Sequence, residues 1–600
     1  MRRIAFIFMA FMAVACSQSD SAESFDVAMV NPYGREYISL NGEWSVLIDP
    51  FLIGEEESRM VYDDVKDPSA LFYEYSFDGA RQMEVPGDWN HQFEDMEYYE
   101  GHVWYARNFD APQHKGGRHF LYFAGVSNSC KVYLNGELLG SHEGAFTPFE
   151  FEVTGKLRQT GNFLCLCVSN IRRPDAIPAM SFDWWNYGGI TRDVMLVSTS
   201  DVFVRDYFFC LDTDNQSALK AEVTLSSNAA PGTEVKVEIP ELRIDEVLKT
   251  GKDGKASVTV QADSLRLWDI SDPVLYDIKV SSGGRLSAVC DRIGFRNVCT
   301  EGEKIMLNGK PVFLKGITFH EEIPQQRRRA CTEEDARQLL EEVAALGCNM
   351  VRLSHYPQNE HIVRMAEEMG IILWEEIPLW QGIDFTDRGT YIKAQRYARD
   401  MIARDRNRCS ILLWSLSNET RPGEARDRFM SDLLEYARSL DDSRLFTSAF
   451  SILQIDEQTG SVSMNDSFAR EVDVVGINLY MGWYRSWTKF PSEYSWSVSR
   501  GKPLVFSEFG AEALYGKHGN RDKADSWSED YQEQLYKDNL KMIDGIGNLS
   551  GVVPWLLYDF RSPYRLHPQL QQGWNRKGVL SENGERKKSW FVLRDYFQNK

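Results

Sequence analysis

From about Asn31 to Ser200, apolar and polar residues alternate in short runs separated by turn residues, the period-two signature of half-buried strands. The clearest runs are Phe120-Leu-Tyr-Phe-Ala124, Lys131-Val-Tyr-Leu134 closed by Asn135-Gly136, and Phe163-Leu-Cys-Leu-Cys-Val168. They predict a jelly-roll-like β-sandwich over residues 31–200. Alternation continues to about residue 298, as in Ala221-Glu-Val-Thr-Leu225 and Val235-Lys-Val-Glu-Ile239. That length suits one immunoglobulin-like β-sandwich at 201–298. After Lys310-Pro311 the pattern changes to apolar strands alternating with helical segments. Val312–Phe319 reads as a strand, Thr332–Leu346 as a helix with a Thr cap and acids in its first turn, and Asn349–Leu353 as the next strand. Six more strands are expected at Ile371–Trp374, Ser410–Ser415, Leu445–Ser448, Val472–Ile477, Pro503–Phe506 and Gly551–Trp555. Eight strands with helical spacers predict a (β/α)8 TIM barrel over residues 299–600, with reactive groups just past the carboxyl ends of the strands.

The length of 600 residues and 43% hydrophobic content fit several packed domains, and a net charge of −21 without basic runs argues against a nucleic-acid or anionic-membrane partner. An anionic substrate would need a local cation. The first residues are Met1-Arg2-Arg3, an apolar block from Ile4 to Val14, then Ala15-Cys16, which is the layout of an export signal too short to span a bilayer. Ala13-Val-Ala-Cys16 resembles the lipobox of bacterial lipoproteins, with Ala13 where Leu is usual. The resemblance implies acylation of Cys16, an outer-membrane location on the periplasmic or surface face, and membrane contact through the lipid alone. Residues 17–30 are expected to be a flexible tether, because Ser17–Ser24 is small and polar. The other nine cysteines include no CxxC pair, and buried free thiols are expected rather than a zinc site or disulfide framework.

Two acids stand at barrel strand ends: Glu419 in Ser417-Asn418-Glu419 after the fourth, and Glu508 in Ser507-Glu508-Phe509-Gly510 after the seventh. Three βα units separate them, so the barrel can bring both to one mouth. Cleavage of a glycosidic bond needs such a pair: an acid for the leaving oxygen and a carboxylate for the oxocarbenium-like centre. Either Glu alone would be one more solvated acid.

With Val85-Pro-Gly-Asp-Trp-Asn90, Tyr133-Leu-Asn-Gly136, Gly140-Ser-His-Glu-Gly144, Asp183-Trp-Trp-Asn-Tyr-Gly-Gly-Ile190, Asn349-Met-Val-Arg-Leu-Ser-His-Tyr-Pro357 and Asn478-Leu-Tyr-Met-Gly-Trp-Tyr484, these segments resemble glycoside hydrolase family 2, and within it the β-glucuronidases. The resemblance covers the whole mature chain. It implies a retaining exo-glycosidase with Glu419 as acid/base and Glu508 as nucleophile. It also implies Asn418 on the sugar 2-hydroxyl and Tyr480 against the nucleophile. Ionised Glu508 is expected to raise the pKa of Glu419.

The stretch Trp574-Asn575-Arg576-Lys577-Gly578 is, taken bare, a solvated turn. At this point in the barrel the resemblance implies that Asn575 and Lys577 bind a sugar carboxylate, giving a carbohydrate substrate with a terminal uronic acid. Asp183, His320, Arg352, His355 and Trp555 match family residues lining or supporting the sugar pocket. Each histidine could equally be a structural hydrogen bonder. His320-Glu321-Glu322 is not a zinc helix, so no metal and no cofactor is expected. A brief connection between Glu376 and Asp400 points to an open mouth. Arg561 and Arg576 are candidates for extra charge toward a polyanionic glycan, or are solvated. The alternatives are a β-galacturonidase or β-galactosidase of the same family, or a non-catalytic carbohydrate-binding lipoprotein. Homo-oligomerisation is left open.

Overall fold

The computed structural model describes residues 27–600 save 57–58, 66–68, 70–74, 114–115, 213–214 and 285. The expected signal segment, Cys16 and most of the tether lie outside the described residues. Of the tether, Ala28, Met29 and Val30 are buried: the Met29 N–H donates to Glu150 at 3.0 Å and the Val30 N–H to the Arg205 carbonyl at 3.1 Å. The expectation of a tether reaching residue 30 is therefore corrected, because these three apolar residues dock where the two sandwiches meet.

The first sandwich packs a sheet of four strands (Glu36–Ser39, Val194–Thr199, Arg118–Phe123, Phe149–Glu152) against one of six (Arg81–Val85, Gly42–Ile48, His102–Phe109, Asn162–Ser169, Ser129–Leu134, Glu137–Glu143). Its core holds Trp44, Trp89, Leu121, Leu166 and Val194. The second is an immunoglobulin-like module of three strands (Val204–Leu211, Ala218–Leu225, Lys255–Gln261) on four (Ile244–Lys249, Glu234–Ile239, Tyr276–Ser281, Val289–Ile293). The nine described cysteines are free, and Cys290 is exposed rather than buried.

The eight parallel strands that follow close into a barrel in sequence order: β1 Leu314–Phe319, β2 Met350–Leu353, β3 Ile372–Glu376, β4 Ile411–Asn418, β5 Leu445–Phe450, β6 Val474–Asn478, β7 Leu504–Glu508 and β8 Leu549–Val552. Nearly every strand residue is buried, since helices cover the outside and side chains fill the inside. The α-helices of the barrel are α1 Glu333–Ala345, α2 Glu360–Met369, α3 Arg388–Asp405, α4 Glu424–Leu440, α5 Glu529–Ile543 and α6 Lys588–Gln598. Thr332 opens α1 with a capping box to Asp335, and left-handed Gly370 closes α2.

Units five and six depart from the ideal pattern. The crossovers after β5 and β6 carry only the 3-10 turns Phe468–Arg470 and Pro491–Glu493 and a small sheet of Gln454–Ile455, Ser461–Ser463 and Ser495–Ser497. The polar stretch around Gly460 and the aromatic run broken by Pro491 have no apolar stripe at helical spacing.

Burial sorts the two ends of the barrel. Ile305 and Leu307, from a hairpin before β1, join Leu314, Met350, Trp374, Leu413, Val474 and Val505 in an apolar cluster toward the amino ends. At the other end, the last residues of β3, β4, β6 and β7 are Glu376, Asn418, Asn478 and Glu508. Polar side chains are thereby gathered at the carboxyl end.

Arg192 joins the first sandwich to this polar end. Its guanidinium pairs with Glu321 at 2.8 Å and donates to the Phe146 and Pro357 carbonyls at 2.8 and 2.7 Å, with both ionic side chains at most 2% exposed. Arg192 is one of two cations on Glu321, since Arg329 lies 3.2 Å from the other carboxylate oxygen. Arg192→Ala, which strips donors from Glu321 and the two carbonyls, is expected to destabilise the sandwich–barrel assembly by roughly 1–3 kcal/mol, read as a lowered melting temperature; an unchanged melt would contradict this linkage.

Candidate active site

The two glutamates reach the mouth of the barrel by different routes. Glu508 is the last residue of β7 and is buried. The chain can turn beside β8 because Gly510 follows; a Cβ there would lie 2.5 Å from the Trp555 carbonyl oxygen. Glu419 follows the last residue of β4 with a left-handed φ of 55°, and its N–H donates to the Ala449 carbonyl at 2.8 Å. A non-glycine residue in this region costs energy that the surrounding contacts must offset.

Each carboxylate is held by its own set of donors. Arg352 Nη1 donates to Glu508 Oε1 at 2.6 Å, and the Tyr480 hydroxyl to Glu508 Oε2 at 2.7 Å. Glu419 accepts from Asn478 Nδ2 and Gln381 Nε2, both at 2.9 Å. Burial first, and the charge of Glu508 second, push the Glu419 pKa up to about 7. The expected electrostatic coupling is present, but desolvation is the larger cause. Asn418 Oδ1 accepts from Arg352 Nη2 at 2.7 Å and from Asn478 Nδ2 at 3.1 Å, which leaves its amide nitrogen as the donor available to the cavity.

Arg352 is the element common to these contacts. It is fully buried, pairs with Glu376 at 3.2 Å as well as with Glu508, and lies with its guanidinium carbon 5.3 Å from the Trp374 ring centre. Its pKa is raised, the attraction of Glu376 and Glu508 outweighing its burial. Although burial opposes ionisation, Arg352 and His355 hold Glu376 below its ordinary value.

A cavity of about 510 Å³ opens above these groups. Its far side contains Asn575 and Lys577, each about 1% exposed. Lys577 Nζ donates to the Tyr484 hydroxyl at 2.9 Å and lies 3.5 Å from Glu512. Asn575 Oδ1 accepts the Lys577 backbone N–H at 3.2 Å, while buried Asn575 Nδ2 has no partner. An ammonium and an unsatisfied amide donor thus line one cavity with the glutamate pair, an arrangement suited to an acidic ligand.

Three family models run in succession along the chain: glycosyl hydrolases family 2, sugar binding domain, at residues 37–200; glycosyl hydrolases family 2 at 202–296; and glycosyl hydrolases family 2, TIM barrel domain, at 298–562. The chain belongs to glycoside hydrolase family 2. It is a β-glucuronidase-like glycoside hydrolase of three domains. A β-glucuronidase of Paenibacillus borealis is 27% identical over 93% of this chain and 96% of its own. Among solved structures, a β-glucuronidase of an uncultured Clostridium species superposes with a TM-score of 0.79 at 26% identity, covering 94% of this chain and 98% of that one. A family 2 β-galacturonidase from Eisenbergiella tayi, bound to galacturonate, gives 0.78 at 26% identity over 96% and 99%.

In this family 2 chain Asp183, His355, Asn418, Glu419, Tyr480, Glu508, Trp555, Asn575 and Lys577 all line the one cavity. Asp183 reaches it from the first sandwich, where it accepts from Ser562 and pairs with Arg565. Of the residues expected to line or support the pocket, two are not in its lining. Arg352 lies beneath the cavity, because its charge is committed to Glu508 and Glu376. His320 is 3% exposed, sits against Tyr356, Phe560 and Trp555, and its pKa is driven well down by burial, which leaves a neutral packing residue.

The extra charge expected from Arg561 and Arg576 is also absent from the cavity. Arg561 pairs with Glu97 and lies 3.9 Å over Trp185, and Arg576 pairs with Asp559 and Glu582; both side chains are 5% exposed, neither solvated nor lining. Arg565 is there instead, with Tyr484, Gln381 and Asn478. Tyr484 and Asn478 end the segment singled out from sequence, whereas Arg565 and Glu512 carried no motif. Tyr564 and Leu566 are 47% and 75% exposed, and the cavity opens to solvent.

Protonated Glu419 should predominate below about pH 7 and be lost as pH rises through that value. The alkaline limb of kcat/KM is expected near pH 7. In Glu508→Gln, a carboxyl NMR titration should find Glu419 lower but still above an ordinary glutamate, since burial persists; an unchanged midpoint would refute coupling.

Proposed function

We propose that the chain is a retaining exo-β-glycosidase that removes a terminal β-linked glucuronic acid from a glycan or conjugate. The observation that carries the reading is the buried Lys577 ammonium beside the unpartnered Asn575 amide, in the same cavity as Glu419 and Glu508. A uronate carboxylate satisfies both donors, whereas a neutral hexoside leaves them unpaired at a cost that sets specificity. The β-glucuronidases among its relatives support the same reading.

The reaction follows from which group holds a proton. Glu419, protonated because it is buried beside another carboxylate, gives its proton to the glycosidic oxygen. Glu508, aimed by Arg352 and Tyr480, attacks the anomeric carbon and the aglycone departs. Esterification removes the charge of Glu508, so Glu419, deprotonated in the first step, stays a carboxylate and can take a proton from the incoming water. Water opens the ester and restores both groups. The Asn418 amide meets the 2-hydroxyl, where a hydrogen bond gains strength as positive charge develops.

The structural likeness to a β-galacturonidase supports a second reading, release of β-galacturonic acid, which differs at one hydroxyl. A panel of nitrophenyl glycosides separates the two. Lys577→Ala is expected to lower kcat/KM on the uronide by roughly 10²–10⁴-fold and to spare neutral hexosides. Glu508→Gln should reduce turnover by roughly 10⁴-fold or more while retaining binding. Early-time proton NMR should find the β-anomer of the free sugar first; an α-product would exclude double displacement. The proposal includes export with a lipid on Cys16, so Cys16→Ser should move the protein from the membrane to the soluble fraction, and equal membrane association would count against it.

A further inference from the structure

Lys587 has no exposed surface and stands behind the cavity, outside its lining. It immediately precedes α6, whose Trp590 and Leu593 are buried. Its Nζ donates to Asp559 Oδ1 at 2.7 Å and Oδ2 at 2.9 Å, to the Ala513 carbonyl at 2.7 Å and to the Arg576 carbonyl at 3.0 Å. An ammonium is costly to bury even when its N–H groups are paired. Burial lowers the Lys587 pKa against the attraction of Asp559. A helix start ordinarily takes a small polar cap, so α6 alone does not call for a buried cation here.

What the ammonium holds is the backbone on either side of groups that face the cavity. Asp559 Oδ1, fixed by Lys587, accepts the Gly578 N–H at 2.9 Å, and the Arg576 carbonyl accepts the Ala513 N–H at 3.0 Å as well as the ammonium. Residues 576 and 578 are therefore anchored, and Lys577 between them joins the cavity lining. Gly578 fits too closely to shift: a Cβ there would lie 2.2 Å from the Asp559 nitrogen and 2.4 Å from the Leu580 carbonyl oxygen. Glu512, 3.5 Å from the Lys577 ammonium, is framed in the same way. The carbonyl of Ala511 before it accepts from Gln532 of α5 at 2.8 Å, and that of Ala513 after it accepts from Lys587. Gln532 also reaches the Gly578 carbonyl at 3.2 Å and accepts from Ser589 of α6 at 2.8 Å. The start of α6 thus sets the backbone from which both Lys577 and Glu512 project.

We propose that Lys587 is a positioning residue for recognition of the acidic sugar: with Asp559 it fixes the backbone around Lys577 from behind the cavity, so that the Lys577 ammonium and the Asn575 amide meet a carboxylate in one set geometry. The inference rests on the uronidase reading above. It gives a residue that touches no ligand a share in selectivity, through the Arg576 carbonyl and the Gly578 N–H. A misplacement of ~1 Å in a binding constellation can cost about 10²-fold.

The test uses the full-length enzyme with 4-nitrophenyl β-glucuronide, the matching neutral β-glucoside and free D-glucuronate as competitive inhibitor. Lys587→Met, which removes the ammonium at similar length, is expected to raise KM for the glucuronide and Ki for glucuronate by about 10–100-fold, with kcat and the glucoside reaction changed less than about threefold. It also leaves Asp559 buried without its main partner, so the melting temperature should fall. The double variant Lys587→Met/Asp559→Asn should melt closer to the parent, because the buried carboxylate is gone, yet keep the raised Ki, because no ammonium holds the Arg576 carbonyl. An unshifted Ki in Lys587→Met, a Ki that recovers together with the melt in the double variant, or an equal loss on both substrates would overturn the proposal and leave Lys587 a purely structural residue. Should the single variant not fold, the double variant decides alone, a raised Ki supporting the proposal and a parental Ki overturning it. Lys577→Ala separates this inference from the reading beneath it. If Lys577→Ala abolishes the preference for the glucuronide while the Lys587 variants keep it, positioning fails and the uronidase reading stands; if Lys577→Ala leaves the preference intact, both fail.

Discussion

The site is organised around one buried cation. A guanidinium in a protein interior is tolerable only when anions and acceptors surround it. Arg352 meets that requirement with Glu376 from β3, Glu508 from β7 and the Asn418 oxygen from β4. Its need for partners ties three strand ends together across the barrel mouth. Because it occupies the Asn418 oxygen and one oxygen of Glu508, it also determines which atoms of those residues face the cavity.

The two glutamates differ through what surrounds them. Glu508 has an arginine and a phenol donating to it. Glu419 has two neutral amides and a buried site beside another anion, which favours a proton. Two strand ends thus set the same residue type in different surroundings, which is the difference the proposed reaction needs.

Charge balance governs the opposite side of the cavity as well. Lys577, Arg565, Glu512 and Asp183 form a network spanning barrel and sandwich, in a protein of net charge −21. Any anionic ligand would have to be attracted by this local arrangement, because the overall charge repels it. Against the burial that would raise its pKa, Lys577 and Arg565 hold Glu512 below its ordinary value, so the hub of the network is an anion.

The architecture and the glutamate pair were legible in the order of residues. Strand periodicity, the helix cap at Thr332 and the strand-end positions of Glu419 and Glu508 are local properties of the chain, and local patterns survive in sequence. The missing helices after β5 and β6 left a trace too, as stretches without a helical stripe. Tertiary structure alone decided that Arg352 and His320 stay out of the cavity lining, that Arg561 and Arg576 turn to buried partners, and that Arg565 lines the cavity instead. Which way an arginine points depends on where distant acids come to rest. Glu512 and Asp559 acquire their partners when the barrel closes, and Glu97 and Asp183 only when the first sandwich docks on it.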